Sequence, residues 1–365
     1  MKTSTLPSTI LSEFQQFKQW HDDMNQTLTP LQMGAQEEIA YLNKIFPKSN
    51  QFYLDKVERM GALTIDFSKK EKKELFEYIS STGLHETIKK SDFFYHSIFK
   101  PRGYAGDAAM MALIYRNTYE GSDTFSKLLN RIGTECAAGI AIRNRKDLMC
   151  NILKEMKGGK VMSLAAGSAR EMQEYLEEKN ELEFLALDHD IQTLREVEFQ
   201  SPKLTYGIIN AFHLIKGKNN YLIPKQNKLE KCDPRADAKG IKKILLPLKY
   251  KTKKLAPNSF DLIYSQGLFD YIDTFLDDKK GTIALTHRLF DLLKPNGRLL
   301  IGNISPLMPK GVVWSMECLF DWYLIYRTKE EVMDFASSIP RHQIASISVI
   351  AEETGVNWFL DIRKK

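Results

Sequence analysis

The sequence predicts an α/β fold: a largely parallel sheet flanked by helices and preceded by a helical annex. Three observations predict it. At Val161–Arg170 (VMSLAAGSAR) a short apolar strand runs through a turn of small residues toward an amphipathic helix. From there to the C-terminus apolar strand-like runs alternate with helical stretches, the pattern of βαβ units. The first third carries apolar residues at helical spacing instead, which favours amphipathic helices.

The turn is the centre of this pattern. Val161, Met162 and Leu164 form the strand and Ala165-Ala166-Gly167-Ser168 the turn. Small residues are needed where a ligand approaches the backbone. Ser168 stands where an N-cap is expected, with Glu171 three residues later for a capping box. The helix N-terminus then offers N–H groups to a ligand's oxygens. A dinucleotide fingerprint would require three glycines, and here only Gly167 is present. The next strand, Glu183–Leu187, ends in Asp188, about 20 residues past the turn, where an acid holds a ribose hydroxyl pair. Turn and acid together point to a nucleoside-containing ligand.

Composition bounds the rest. The 365 residues are 43% hydrophobic and 27% charged, with a formal net charge of +6, an ordinary globular balance for one large domain with an annex or for two domains. No apolar run reaches about 18 residues, so no membrane span is expected. The N-terminus has no secretory pattern. Cys136, Cys150, Cys232 and Cys318 are scattered without a CxxC pair, which argues against a zinc site and for reduced thiols in a cytoplasmic protein.

In the annex, helical periodicity covers Ile10–Leu28, Ala35–Ile45, Tyr53–Leu63, Glu71–Ser80 and Phe93–Phe99. Lys100–Asp107 (KPRGYAGD) breaks it, because Pro101, Gly103 and Gly106 exclude a helix interior. Arg102, Tyr104 and Asp107 in this break are candidates to face a ligand. Guanidinium groups are dense beyond it, in Arg116, Arg131, Arg143 and Arg145.

Downstream of Asp188 a helix is expected over Ile191–Phe199 and a strand over Lys203–Ile208. The strand leads into Asn210-Ala211-Phe212-His213, where a side chain can meet a base ring. Lys216–Lys254 is lysine-rich and reads as an insertion with one strand-like piece, Ile241–Leu248. It lacks the aromatic interleaving of a nucleic-acid surface, so no nucleic-acid partner is expected. The rhythm resumes with a strand at Phe260–Tyr264, the run Ser265–Ile272 (SQGLFDYI), a helix over Ile283–Leu293 and a strand at Arg298–Ile301. A helix over Trp314–Tyr326 and a closing strand pair, Ile344–Ile350 and Trp358–Ile362, complete the chain.

The blocks AAGSA, strand–Asp188, FDLIYSQGLFDYI and LLKPNGRLLIGNIS, in that order and spacing, resemble a class I S-adenosylmethionine-dependent methyltransferase from about residue 146 onward. Ser163 replaces the usual acid of the first strand, and Ala165 and Ala169 replace the outer turn glycines, which leaves a degenerate cofactor-binding domain without activity as an alternative. KPRGYAGD, YRNTYEGSDTFSKLLNR, IRNR and MECLFDWYLIYR extend the likeness to nearly the whole chain. They resemble the bacterial methyltransferases that make 3-hydroxy fatty acid methyl ester signals for quorum sensing.

The resemblance implies a Rossmann-like sheet over 146–365, a helical substrate-cap domain over 1–145, and S-adenosyl-L-methionine as cofactor. The expected cofactor contacts are Ala165, Ala166, Gly167, Ser168, Asp188, His189, Asn210, Ala211, Phe212, Ser265, Gly267 and Leu268. The expected substrate is a small carboxylic acid, a 3-hydroxy fatty acid in the family. Arg102, Tyr104, Tyr264, Tyr271 and Trp322 are expected to bind it, with Tyr104 and Arg143 as catalytic residues. A carboxylate is already ionised at neutral pH, so a cation or hydroxyl that orients it suffices. A phenol or amine would favour a base, for which His189, His213 and Asp270 are the candidates. Trp314, Met316, Leu319, Phe320, Trp322 and Tyr323 are the expected wall of an acyl tunnel.

Overall fold

A computed structural model of the protein describes residues 6–190, 192–193, 197–224, 250–273 and 281–365. Two compact units divide it: 1–143 with 307–323, and 144–306 with 324–365. The sequence reading places 307–323 with the sheet, whereas the structure groups this segment with the helices.

The helical unit contains α1 (Ser8–Leu28), α2 (Ala35–Thr64), α3 (Lys69–Ser81), α4 (Leu84–Ile88), α5 (Asp92–Phe99), α6 (Ala108–Arg116) and α7 (Thr124–Thr134). The two expected helices at Ala35–Ile45 and Tyr53–Leu63 are one continuous helix that passes through Pro47. A capping box does form in this chain, at Ser68 and Glu71 ahead of α3. The unit's core gathers Ile10, Phe14 and Phe17 of α1, Leu42, Val57 and Met60 of α2, and Leu128, Leu129 and Ile132 of α7. Gly61 lets α2 approach the 307–323 segment, since a Cβ there would lie 2.3 Å from the Lys310 carbonyl oxygen. The expected helix Trp314–Tyr326 is shorter than the pattern suggests. A helix over Lys310–Trp314 passes into a π-turn at Ser315–Leu319, and Asp321 adopts a left-handed conformation.

Helix α8 (Ala137–Glu155) leads into the sheet unit. Its strands are β1 (Gly159–Leu164), β2 (Leu182–Asp188), β3 (Leu204–Ile208), β4 (Asn220–Pro224), β5 (Tyr250–Lys254), β6 (Phe260–Ser265), β7 (Leu293–Ile304), β8 (Ile344–Ala351) and β9 (Asn357–Lys364). They form one sheet in the order β5-β4-β3-β2-β1-β6-β7-β9-β8. The strands β3, β2, β1, β6 and β7, neighbours in that order, run parallel. The closing pair β8 and β9 is antiparallel, as is the β4–β5 ribbon.

The central strands are buried on both faces, as parallel strands must be. Met162, Ile263, Leu299, Ile301 and Leu360 pack with Leu285 and Leu289 on one face. Val161, Leu262, Tyr264, Leu300 and Phe359 pack with Met149 and Leu153 of α8 and Met172 and Tyr175 of α9 (Arg170–Glu178) on the other.

The ends of the lysine-rich insertion are a correction. Asn220–Pro224 and Tyr250–Lys254 pair with each other and extend the sheet. The outer strand exposes Lys251, Lys253 and Lys254, which discourages pairing of this edge with another chain. The expected strand piece Ile241–Leu248 and Cys232 lie outside the described residues, as does part of the expected helix Ile191–Phe199, of which 197–199 are non-helical.

Candidate functional site

In the order β2-β1-β6-β7 the chain winds one way from β1 and the other way from β6. Ligands of doubly wound sheets bind at such a switch point, outside the carboxyl ends of the strands. The segments leaving β1 and β6, residues 165–169 and 266–272, therefore border the candidate crevice.

The turn after β1 is tightly wound. Ala165, Gly167 and Ala169 all have positive φ, at 56°, 53° and 53°. The two alanines thus hold the left-handed backbone that glycine adopts without cost, a strain of about 1–2 kcal/mol for each L residue. Strain of this kind concentrates at ligand sites. The Ala166 N–H donates to Leu187 O at 3.1 Å, fastening the turn to β2. A Cβ at Gly167 would meet nothing within 4 Å, so open space lies beside the turn.

Asp188 completes the arrangement. Its Oδ2 accepts the Gly167 N–H at 2.8 Å and its Oδ1 the Asp190 N–H at 2.9 Å. Oδ2 keeps a further acceptor position, so a ribose hydroxyl can still be held. His189 Nδ1 lies 3.3 Å from Asp188 Oδ1, and hydrogen bonding to that carboxylate raises the imidazole pKa. Asn210 caps the short helix Ala211–Ile215, its Oδ1 accepting from Phe212 N at 2.9 Å. Phe212 stays 45% exposed, an aromatic face open to a base ring. These residues fit an adenosine: a ribose-hydroxyl acceptor, small backbone, and an accessible ring.

Several expectations are corrected. Ser168 is not an N-cap and no capping box forms with Glu171. The cap position is Ala169, left-handed and without a side-chain bond. Ser168 offers its carbonyl oxygen to Gln173 Nε2 instead. Glu171 is buried and accepts from Tyr264 OH at 2.6 Å. Burial pushes the Glu171 carboxyl up, and the buried Tyr264 phenol is raised too. Tyr264 is therefore a core residue rather than a substrate contact. Tyr271, in the segment that follows β6, is 44% exposed.

Arg143 does not present a free guanidinium for acid binding. It donates to Thr134 O at 2.7 Å and Ile114 O at 3.3 Å, and pairs with Glu135 at 3.0 Å. Asp107, whose position suggested a ligand contact, N-caps α6 through Met110 N at 2.8 Å and lies 3.0 Å from His96 Nδ1. Arg102 Nε stands 3.8 Å from the same carboxylate, and Tyr104 is half-buried in that connection. Trp314, Leu319 and Phe320 belong to the core of the helical unit, and Trp322 packs against it, so they are core before they are tunnel wall.

Ser265 is fully buried at the end of β6, while Gly267 and Leu268 remain partly accessible. Asp270 is buried as well. Its Oδ1 accepts the Ile304 N–H at 2.5 Å, and burial pushes its carboxyl up to about 6. Arg327 braces the same segment through Phe269 O, Ile272 O and Asn303 Oδ1. Asp270 thus ties the segment after β6 to the end of β7 and does not face solvent as a base.

The sequence reading grouped Arg145 with Arg143, and the structure gives the two different partners. Arg145 is buried, and its Nη1 donates to Gln266 O at 3.1 Å. The available signal was helical phase. Residues two apart on a helix point to different sides, so Arg143 and Arg145 cannot share one function.

The sheet is a doubly wound, mostly parallel α/β sheet, with a helical region ahead of it in the sequence. No protein-family model matches the sequence, and no curated protein matches it either. Among solved structures, one described as a possible exported protein of Bordetella parapertussis is similar over 87% of this chain and 96% of its own. Its TM-score is 0.50 at 14% identity. The pyocyanin biosynthetic protein PhzM matches over 66% of this chain and 58% of its own, with TM-score 0.39 and 12% identity. Phosphoethanolamine N-methyltransferase 2 of Haemonchus contortus, solved with S-adenosyl-L-methionine, matches over 57% and 38%, with TM-score 0.35 and 16% identity. Likeness at such identities concerns the fold alone.

Proposed function

We propose that the protein is an S-adenosylmethionine-dependent methyltransferase that converts the carboxylate of a small acid, a 3-hydroxy fatty acid in the first instance, into its methyl ester. The observation that carries the cofactor half is the Asp188–Gly167 bond at a strained small-residue turn on the switch point. The acid half rests on the sequence resemblance, and the state of the candidate bases favours it: Asp270 is buried and hydrogen-bonded, and the His189 ring is beside Asp188.

When bound, the cofactor supplies an electrophilic methyl on a sulfonium. One C–S bond breaks as one C–O bond forms, and an ionised carboxylate has no proton to lose. The chain's work is then alignment and exclusion of water. Asp188 would hold the ribose, the turn 165–168 would take the nucleoside, and the segment 266–272 would border the reacting end.

Methyl-labelled S-adenosylmethionine, incubated with the protein and a panel of 3-hydroxy fatty acids, phenols and amines, tests this. Label in a base-labile ester is the expected result. Label only in a base-stable ether or amine would replace the carboxylate with another nucleophile, for which His189 and His213 would be the bases to vary.

A further inference from the structure

We propose that His96 is a specificity-determining residue of the helical unit, its Nε2 accepting a hydrogen bond from the hydroxyl of an amphiphilic ligand whose apolar chain lies on Tyr95 and Phe99. That this ligand is the acid substrate rests on the methyltransferase reading.

The helix face comes first. Residues three and four apart on a helix are neighbours, so Tyr95, His96 and Phe99 share one face of α5. Phe93, Phe94 and Ser97 are the buried side of the same helix. Tyr95 and Phe99 stay 41% and 45% exposed, with ring centroids 5.2 Å apart. The Tyr95 ring lies 5.9 Å from that of His96. One imidazole therefore stands beside two accessible aromatic rings.

The orientation of the imidazole comes second. Directly after Phe99 the chain turns at Lys100, left-handed at φ 47°, and returns to bring Asp107 onto His96. Asp107 is buried. Its Oδ1 accepts the Met110 N–H at 2.8 Å, and its Oδ2 lies 3.0 Å from His96 Nδ1. Arg102 Nε stands 3.8 Å from the same Oδ2. Burial alone would push this carboxyl up, but the bonds from His96 and the Met110 N–H and the charge of Arg102 hold it below the usual carboxylate value. An ionised carboxylate only accepts, so Nδ1 carries the proton and the neutral ring presents Nε2 as an acceptor. The ring is partly exposed, and among the described residues no other hydrogen bond or ion pair engages it. Capping α6 requires only Oδ1 of Asp107. Its Oδ2 is left to fix one tautomer and one orientation of the imidazole. An acceptor nitrogen calls for an O–H or N–H donor, and the flanking rings call for an apolar chain. A hydroxylated acyl chain offers both.

The test is calorimetric titration of the full chain with 3-hydroxydecanoic acid and with decanoic acid, both below micelle formation. Wild type should bind the hydroxy acid about 3- to 10-fold more tightly, the worth of one hydrogen bond. His96→Asn keeps an N–H for Asp107 and removes Nε2, so it should abolish this preference and leave decanoic acid unchanged. 3-Methoxydecanoic acid has no hydroxyl proton to give and should show no preference on wild type, an arm that requires no variant. Phe99→Ala should weaken both acids alike. A preference that survives His96→Asn, a methoxy acid bound as tightly as the hydroxy acid, or a wild type without any preference overturns the assignment. Transfer of labelled methyl to the same acids reads the methyltransferase proposal separately. A preference abolished by His96→Asn with no labelled ester keeps His96 as the binding residue and brings down the ester reading. Labelled ester with a preference indifferent to His96→Asn does the reverse.

Discussion

The Gly167 N–H donates to Asp188 Oδ2 at 2.8 Å, so one carboxylate at the end of β2 braces the turn after β1. Asp188→Ala removes the brace and the proposed ribose acceptor together. Binding of S-adenosylmethionine should weaken by about 1.5–3 kcal/mol. Asp188→Asn keeps one acceptor oxygen and should lie between. Calorimetric affinity equal to wild type in Asp188→Ala would remove Asp188 from the site.

The strain at Ala165 yields a stability prediction. With φ at 56°, Ala165→Gly relieves a left-handed alanine, and the greater freedom of glycine in the unfolded chain offsets part of the gain. A net stabilisation of up to about 1 kcal/mol is expected. Thermal denaturation without cofactor measures it, and a lowered Tm would show that the turn's conformation is not under strain.

Tyr264→Phe separates core from site. The hydroxyl serves buried Glu171 at 2.6 Å, and its loss leaves a buried acid without its donor, at a cost of about 1–3 kcal/mol. Stability should fall while the acid KM stays unchanged. A raised KM in a fully folded variant would return Tyr264 to the substrate site.

Asp270 gives a pH dependence with a defined sign. Its carboxyl rises from 3.8 unfolded to about 6 folded, chiefly through burial. The folded state thus binds the proton more tightly, so this group's stabilisation is present below about pH 4 and is lost as pH rises to about 6. Asp270→Asn retains an acceptor for Ile304 N–H and does not titrate. Relative to wild type, it should gain up to about 3 kcal/mol between those pH values and nothing further above them. Denaturant titrations across that range check this, and a stability difference independent of pH would contradict it.

The sheet was legible because its central strands are buried on both faces and so read as largely apolar runs, as at Leu182–Asp188 and Phe260–Ser265, where Glu183 and Asp261 are the polar interruptions before the strand ends. The turn 165–168 and the place of Asp188 at the end of β2 were legible because small residues and an acid follow two apolar strands at a short spacing. The capping box at Ser168 was misread because the turn stays left-handed through Ala169, a conformation that sequence alone does not assign to alanine. The π-turn at Ser315–Leu319 and the passage of α2 through Pro47 override local preference through packing. Arg143 and Arg145 were indistinguishable as residue types. Only their partners, Thr134 O and Glu135 for one and Gln266 O for the other, separate them.

A crystal structure of the protein with S-adenosylhomocysteine tests the central claim most directly. The ribose hydroxyls should lie about 2.5–3.2 Å from the Asp188 carboxylate, with the nucleoside along residues 165–168 and its base beside Phe212. A nucleoside bound elsewhere, or an unchanged empty crevice at saturating concentration, would contradict it.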